Sequence, residues 1–190
     1  RLGDRQTFAR VSVSFDNRVS DKPVTVTNPL DNETLPALFS AAVERGLNDA
    51  LQTGELGYPM MNVQARIRSA EFDQQLSSED AFVAAAVHAY REAVRDNILV
   101  MEPIMKVRVT TPLESMGNIL GDLMARRAEI GEQNSAGGDL MEIEALVPLA
   151  KMFDYADKVR SLSQGRAASA MEPATYREVP AEDMRRIRGD

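Results

Sequence analysis

Hydrophobic positions change their spacing several times along the chain, and each change marks an element. Between residues 8 and 15, Val11, Val13 and Phe15 alternate with Ser12 and Ser14, a period of two that predicts a half-buried strand. Val24 and Val26 predict a second short strand over 24–27, broken by Asn28-Pro29 and Asp31-Asn32. From 35 to 52 the spacing becomes helical. Leu35, Leu38, Phe39, Ala42, Val43, Leu47, Ala50 and Leu51 fall on one face, with Thr34 as the expected N-cap, Pro36 in the first turn and Gly54 as the stop. Alternation returns over 58–68, where Met61, Val63, Ala65 and Ile67 interleave with Asn62, Gln64, Arg66 and Arg68. After a polar loop over 69–76, Ser77 or Ser78 caps a second helix with the stripe Phe82, Ala85, Ala86, Ala89, Ala93 and Val94. Its alanines predict close packing of helix on sheet.

The pattern restarts after Asn97. Met105, Val107 and Val109 alternate with Lys106, Arg108 and Thr110 up to Pro112, and a helix follows with Met116, Ile119, Leu120 and Leu123 inward. Strands over 129–133 and 140–147 are joined through Ser135-Ala136-Gly137-Gly138. A helix over 149–161 is expected to bury Leu149, Met152, Phe153, Ala156 and Val159, and a last strand starts near Arg166, with Pro173 expected to cut it short. The order β-α-β-β-α-β is the split βαβ arrangement of ferredoxin-like domains. The charged segment 179–190 lacks a core stripe and reads as a frayed helix or disordered tail.

Composition narrows the chemistry. The 190 residues hold no cysteine and a single histidine, His88, which removes thiol chemistry, thiolate metal sites and most histidine-dependent catalysis. His88 itself reads as a packed or surface residue of the second helix. The methionines fall mostly at core spacing. No apolar run is long enough to span a bilayer. The formal net charge is −7, with 10 basic and 14 acidic residues through residue 100 and 12 and 15 after it. Neither half is basic, so any contact with RNA must be local and fitted in shape. There is no Gly-x-x-x-x-Gly-Lys-Ser/Thr phosphate loop. A first residue of Arg1 suggests a longer parent.

Several strings then stand out together. They are Met101-Glu102-Pro103-Ile104-Met105-Lys106-Val107, Met116-Gly117-x-x-Leu120-Gly121-Asp122-Leu123-x-x-Arg126-Arg127, Val147-Pro148-Leu149-Ala150-x-Met152-Phe153-x-Tyr155-Ala156 and Arg160-Ser161-x-Ser163-Gln164-Gly165-Arg166. Upstream are Gly57-Tyr58-Pro59 and Ser77-Ser78-Glu79-x-Ala81-Phe82. At this spacing and across nearly the whole chain they resemble the last two domains of bacterial translation elongation factor G or a paralogue of it. The resemblance implies an α+β protein of two domains. Residues 1–100 would form an arm domain with the ribosomal protein S5 domain-2-like fold, its first strand truncated. Residues 101–178 would form the ferredoxin-like domain, followed by the charged tail 179–190.

Mechanism also follows from the resemblance. The parent would be a GTP-hydrolysing factor whose GTP and Mg²⁺ sit in a domain absent here, so these residues are expected to hold no cofactor and to be non-catalytic. The expected partners are both ribosomal subunits, ribosomal RNA, tRNA and mRNA. A monomeric, cytoplasmic protein with no membrane partner is expected. The arm's tip would enter the decoding region through the loops 1–7 and 69–76, with Gly3, Arg5, Phe72 and Asp73 as candidate tip residues. Asp4, Gln6 and Ala9 stand where the family has glycines, Asp73 stands where it has a histidine, and Glu71 adds a carboxylate beside it. The last domain would approach the sarcin–ricin loop through Arg160, Ser161, Gln164, Gly165 and Arg166. Arginine can bridge phosphates, and serine and glutamine can bond sugars or base edges. Apart from the resemblance, the same residues read as a helix C-terminus with a glycine cap and arginines complementing its dipole. Two functions stay open: translocation of tRNA and mRNA, or a paralogue's role in ribosome recycling, rescue or protection.

Overall fold

The computed structural model describes residues 6–188, in two compact units, 1–98 and 99–190. The first unit contains β1 (Arg10–Asn17), β2 (Val24–Thr27), α1 (Ala37–Thr53), β3 (Val63–Glu71) and α2 (Glu79–Val94). Its sheet has the order β1-β3-β2, with β1 antiparallel and β2 parallel to β3. The core gathers Leu35, Val43, Leu47 and Leu51 from α1 and the turn before it, Ala65 and Ile67 from β3, and Phe82, Ala86 and Tyr90 from α2. Both helices therefore cover one face of the sheet, and no described element of this unit covers the other, open face.

The boundaries differ from the sequence reading where local geometry overrides periodicity. Thr34 does not cap α1. Asp31 Oδ1 accepts the Thr34 N–H at 2.8 Å, and Pro36 holds the N-cap position without a side-chain bond. Leu38 is exposed. Gly54 does end α1, donating to the Ala50 carbonyl with φ 67. Strand β3 begins at Val63, not at 58, because Gly57 and Asn62 take positive φ and turn the chain before pairing starts. It continues to Glu71 through a bulge at Arg68, where Ser12 faces Ser69 and Val13 faces Ile67. The extra residue lets both Ile67 and Ala70 turn to the core. Ser78 caps α2, accepting the Ala81 N–H. The small residues of α2 also meet a helix, since a Cβ on Gly46 of α1 would lie 3.0 Å from the Val83 carbonyl and 3.1 Å from the Ala86 Cβ.

The second unit contains β4 (Met101–Pro112), α3 (Met116–Ala125), β5 (Glu129–Gly137), β6 (Leu140–Pro148), α4 (Tyr155–Leu162), β7 (Ala168–Glu178) and α5 (Ala181–Arg188). The sheet order β5-β6-β4-β7, antiparallel throughout, is the ferredoxin-like arrangement. Val107, Val109, Ile119, Leu123, Ile143, Val147 and Val159 fill its core. Pro173 does not cut β7 short. The strand is at the sheet edge, and Ala174 is bulged between Pro173, opposite Met105, and Thr175, opposite Ile104. Of the two readings of the charged segment, helix or disordered tail, the structure has the helix over the described residues: Val179 is buried, its N–H donates to the Val100 carbonyl, and α5 follows.

The helix expected over 149–161 is split. A 3₁₀ turn covers Leu149–Lys151, and α4 starts only at Tyr155. The break changes the helical phase. Tyr155 takes the core position, Ala156 turns outward, and Phe153 stands 88% exposed.

Candidate nucleic-acid interface

Helix α4 ends in a turn with two left-handed residues, Gln164 at φ 55 and Gly165 at φ 82. The Gly165 N–H donates to the Arg160 carbonyl at 2.7 Å and the Gln164 N–H to the Ser161 carbonyl at 3.4 Å. With Ser163 as the C-cap, these are the two bonds of a Schellman motif. The residue in the first left-handed position is glutamine, not the glycine expected to cap the helix. A side chain there costs about 1–2 kcal/mol relative to right-handed backbone.

Ser163 fixes the turn from below. Its hydroxyl is fully buried, donates to the Val159 carbonyl at 2.8 Å and accepts the Ala167 N–H at 2.9 Å. Arg160, Ser161, Gln164, Gly165 and Arg166 are all exposed around it. Arg160 is 74% exposed and lies 3.9 Å from Asp157, itself exposed, so water screens the pair and the guanidinium stays available. Arg166 pairs with Glu114. No side-chain hydrogen bond holds Gln164 within the described residues.

The two arginines at the end of α3 contrast with these. Arg126 is only 12% exposed and donates to Asp122 (2.7 Å), to the Lys151 carbonyl (2.5 Å) and to Asp154 (2.7 Å), lying 5.1 Å over the Tyr155 ring. It bolts the end of α3 to the turn that starts α4. Burial pushes the Tyr155 phenol well above its ordinary range. Arg127, also left-handed at φ 65, bonds Glu102 at 2.5 Å and Asp183 of α5 at 2.8 Å. Its strain is therefore offset by two carboxylates, whereas that of Gln164 has no such offset within the described residues.

In the first unit the loop after β3 carries the other candidates. Phe72 is partly buried, its ring packed toward the core 5.9 Å from Phe39. Asp73 is exposed, but its Oδ1 accepts the N–H groups of Gln75 (2.8 Å) and Leu76 (2.9 Å), and its own N–H donates to Ser77 Oγ. Ser77 in turn donates to the Phe8 carbonyl. The aspartate thus shapes the loop. Glu71 is paired with Arg10 across the strands at 3.0 Å, so it adds no unmatched charge. Gly3 and Arg5 lie outside the described residues. His88 is exposed on α2 beside β1, away from any cluster of acid–base partners. Among the described residues no group of three or more histidines and carboxylates is arranged to hold a metal ion, and no helix is long and apolar enough to cross a membrane.

Comparison with known proteins accounts for both units. Residues 1–97 match the family "Elongation factor G, domain IV" and residues 99–187 match "Elongation factor G C-terminus". Elongation factor G of Fervidobacterium nodosum is 40% identical over 187 residues, which cover 97% of this chain and 27% of that protein. The Salinibacter ruber protein of the same name is 37% identical over 95% of this chain and 26% of its own length. A crystal structure from Thermus thermophilus matches 93% of this chain and 26% of its own, with a TM-score of 0.76 and 28% identity. The chain thus spans about a quarter of the length of these relatives.

Proposed function

The chain belongs to the elongation factor G family, and from that premise we propose that it is the ribosome-engaging part of a translocating factor. GTP and Mg²⁺ act in another domain of the parent, since no residues here fit a phosphate loop. The second unit docks on large-subunit RNA through Arg160, Ser161, Gln164 and Gly165, while the loop around Asp73 meets the decoding region and the tRNA–mRNA complex. Such a factor works in the cytoplasm, where ribosomes translate.

The observation that carries the docking role is the left-handed Gln164. Glycine would serve the fold better at that position, and strain kept at an exposed residue points to a use of the side chain. The nearby Arg160 supplies a guanidinium for phosphate, and the buried Ser163 keeps the two in fixed relation. In the full-length factor, Gln164→Gly therefore raises folding stability by about 1 kcal/mol while lowering ribosome-stimulated GTP hydrolysis. Arg160→Ala lowers the same hydrolysis with little change in stability. Unchanged hydrolysis in both variants would remove the docking assignment.

One observation favours the second reading, a paralogue that acts on ribosomes without efficient translocation. Asp73 puts an exposed carboxylate on the tip loop, and that charge is repelled by phosphate. A toeprint of mRNA position on pre-translocation ribosomes separates the two. A prompt one-codon shift means translocation; no shift with intact stimulated hydrolysis means another ribosomal task.

A further inference from the structure

The open face of the β1-β3-β2 sheet gathers arginines that are scattered in the sequence. The core-facing residues are Val11, Val13 and Phe15 of β1, Ala65 and Ile67 of β3, and Val24 and Val26 of β2. Strand alternation therefore turns Ser12, Ser14, Asp16, Gln64, Arg66, Thr25 and Thr27 to the other side. The bulge adds Arg68, whose Nε donates to Ser14 Oγ at 2.8 Å. Arg18 reaches the same face, donating to Gln64 Oε1 at 3.2 Å. Arg18, Arg66 and Arg68 are exposed, and none has a carboxylate partner among the described residues. Asp16 is, among the described residues, the one carboxylate on the face that is not paired, since Glu71 is held by Arg10.

The corresponding face of the second unit shows how unusual this is within one chain. There Arg108 bonds Glu144 at 3.0 Å and lies 3.6 Å from Glu142, Lys106 bonds Glu144 at 3.1 Å, and Arg177 bonds Glu129 at 2.7 Å. Each of these cations has a carboxylate partner. In a chain of net charge −7, the first unit keeps three unmatched arginines on one surface.

We propose that this open sheet face binds the phosphate backbone of a folded, double-helical stretch of RNA, as a contact surface separate from the tip loop and from the α4 turn. The proposal rests on the reading that the factor works on the ribosome. Guanidinium groups bridge phosphates, and the neighbouring hydroxyls of Ser12, Thr25 and Thr27 suit sugar 2′-OH groups. The strand residues of this face include no aromatic or aliphatic side chain. That disfavours a run of stacked single-stranded bases, for which aromatic rings are the usual platform, and a protein partner, whose interface needs an apolar centre.

The test uses the full-length factor on ribosomes. This chain has no cysteine, so Thr27→Cys, with any cysteines elsewhere in the parent replaced, gives a tether for iron–EDTA on the face. Hydroxyl radicals are expected to cut a helical segment of ribosomal RNA or tRNA, and the cuts are expected to fade when Arg66→Ser and Arg68→Ser are combined. The double variant should also flatten the dependence of log affinity on log salt concentration by about 2, from two lost phosphate contacts on a double helix. Both arginines are exposed, and an unchanged thermal midpoint would show the fold intact. No cuts above the untethered control, an unchanged salt slope, or crosslinking of the same cysteine to a ribosomal protein would overturn the proposal. If Arg160→Ala still lowers stimulated GTP hydrolysis in that case, the docking role of α4 stands alone. If the factor does not engage ribosomes at all, both readings fall.

Discussion

Ser163 looks in the sequence like an ordinary polar residue near a helix end, yet it is buried because both capacities of its hydroxyl are used. In Ser163→Ala the Ala167 N–H loses its acceptor in a dry environment, which costs about 1–3 kcal/mol. The loss should appear in denaturant unfolding, and ribosome-stimulated hydrolysis should fall with it because the α4 turn loosens. Ser163→Thr, which keeps the hydroxyl, should retain more of both. Arg126 is similar: it ends α3, where a cation needs no partner beyond the helix dipole, but the structure makes it a largely buried hub between α3 and the start of α4. Neither role was legible from residue type, because a hydroxyl or guanidinium is committed only when a distant carbonyl or carboxylate is brought to it.

Helix and strand interiors were legible where the apolar period was long. The cores of α1, α2, β4 and β6 follow Val43 and Leu47, Phe82 and Ala86, Val107 and Val109, Ile143 and Val147. Boundaries failed where a single residue changed the phase: the bulge at Arg68, the positive φ at Asn62, and the 3₁₀ turn that puts Phe153 outside. The end of α1 was read correctly, since Gly54 sits where a Cβ would lie 1.8 Å from the Tyr58 carbonyl, in a backbone region nearly closed to other residues. Gly54→Ala should therefore destabilise the first unit by about 2 kcal/mol or more, read as a lower denaturant midpoint with an unchanged slope.

Charge over the whole molecule sets its response to acid. Hydrogen bonds from Arg108 and then Lys106 hold the Glu144 carboxyl below the ordinary range, and Arg126 does the same for Asp154. A carboxyl whose pKa is lower folded than unfolded binds fewer protons in the native state. Its stabilisation is present above the unfolded value, about 4, and is lost as pH falls through the folded value. The thermal midpoint should thus decline below about pH 4. Glu144→Gln and Asp154→Asn should flatten that decline, and added salt should reduce the contribution of these solvent-accessible pairs.

The sequence by itself determined the α+β elements and the ferredoxin-like order of the second half, and its motifs placed the chain beside elongation factor G. These are local or collinear properties: spacing of apolar residues decides which side of an element is buried, and a motif is read in chain order. Only the tertiary structure decided where side chains far apart in sequence meet. It committed Arg126 and Arg127 to internal carboxylates, turned the Phe72 ring inward, used Asp73 to shape its loop, and set Gln164 left-handed. It also laid Arg18, Arg66 and Arg68 on one open sheet face. The reason is that pairing across strands and packing between elements join residues whose separation along the chain carries no signal, and charge acts through distance in space.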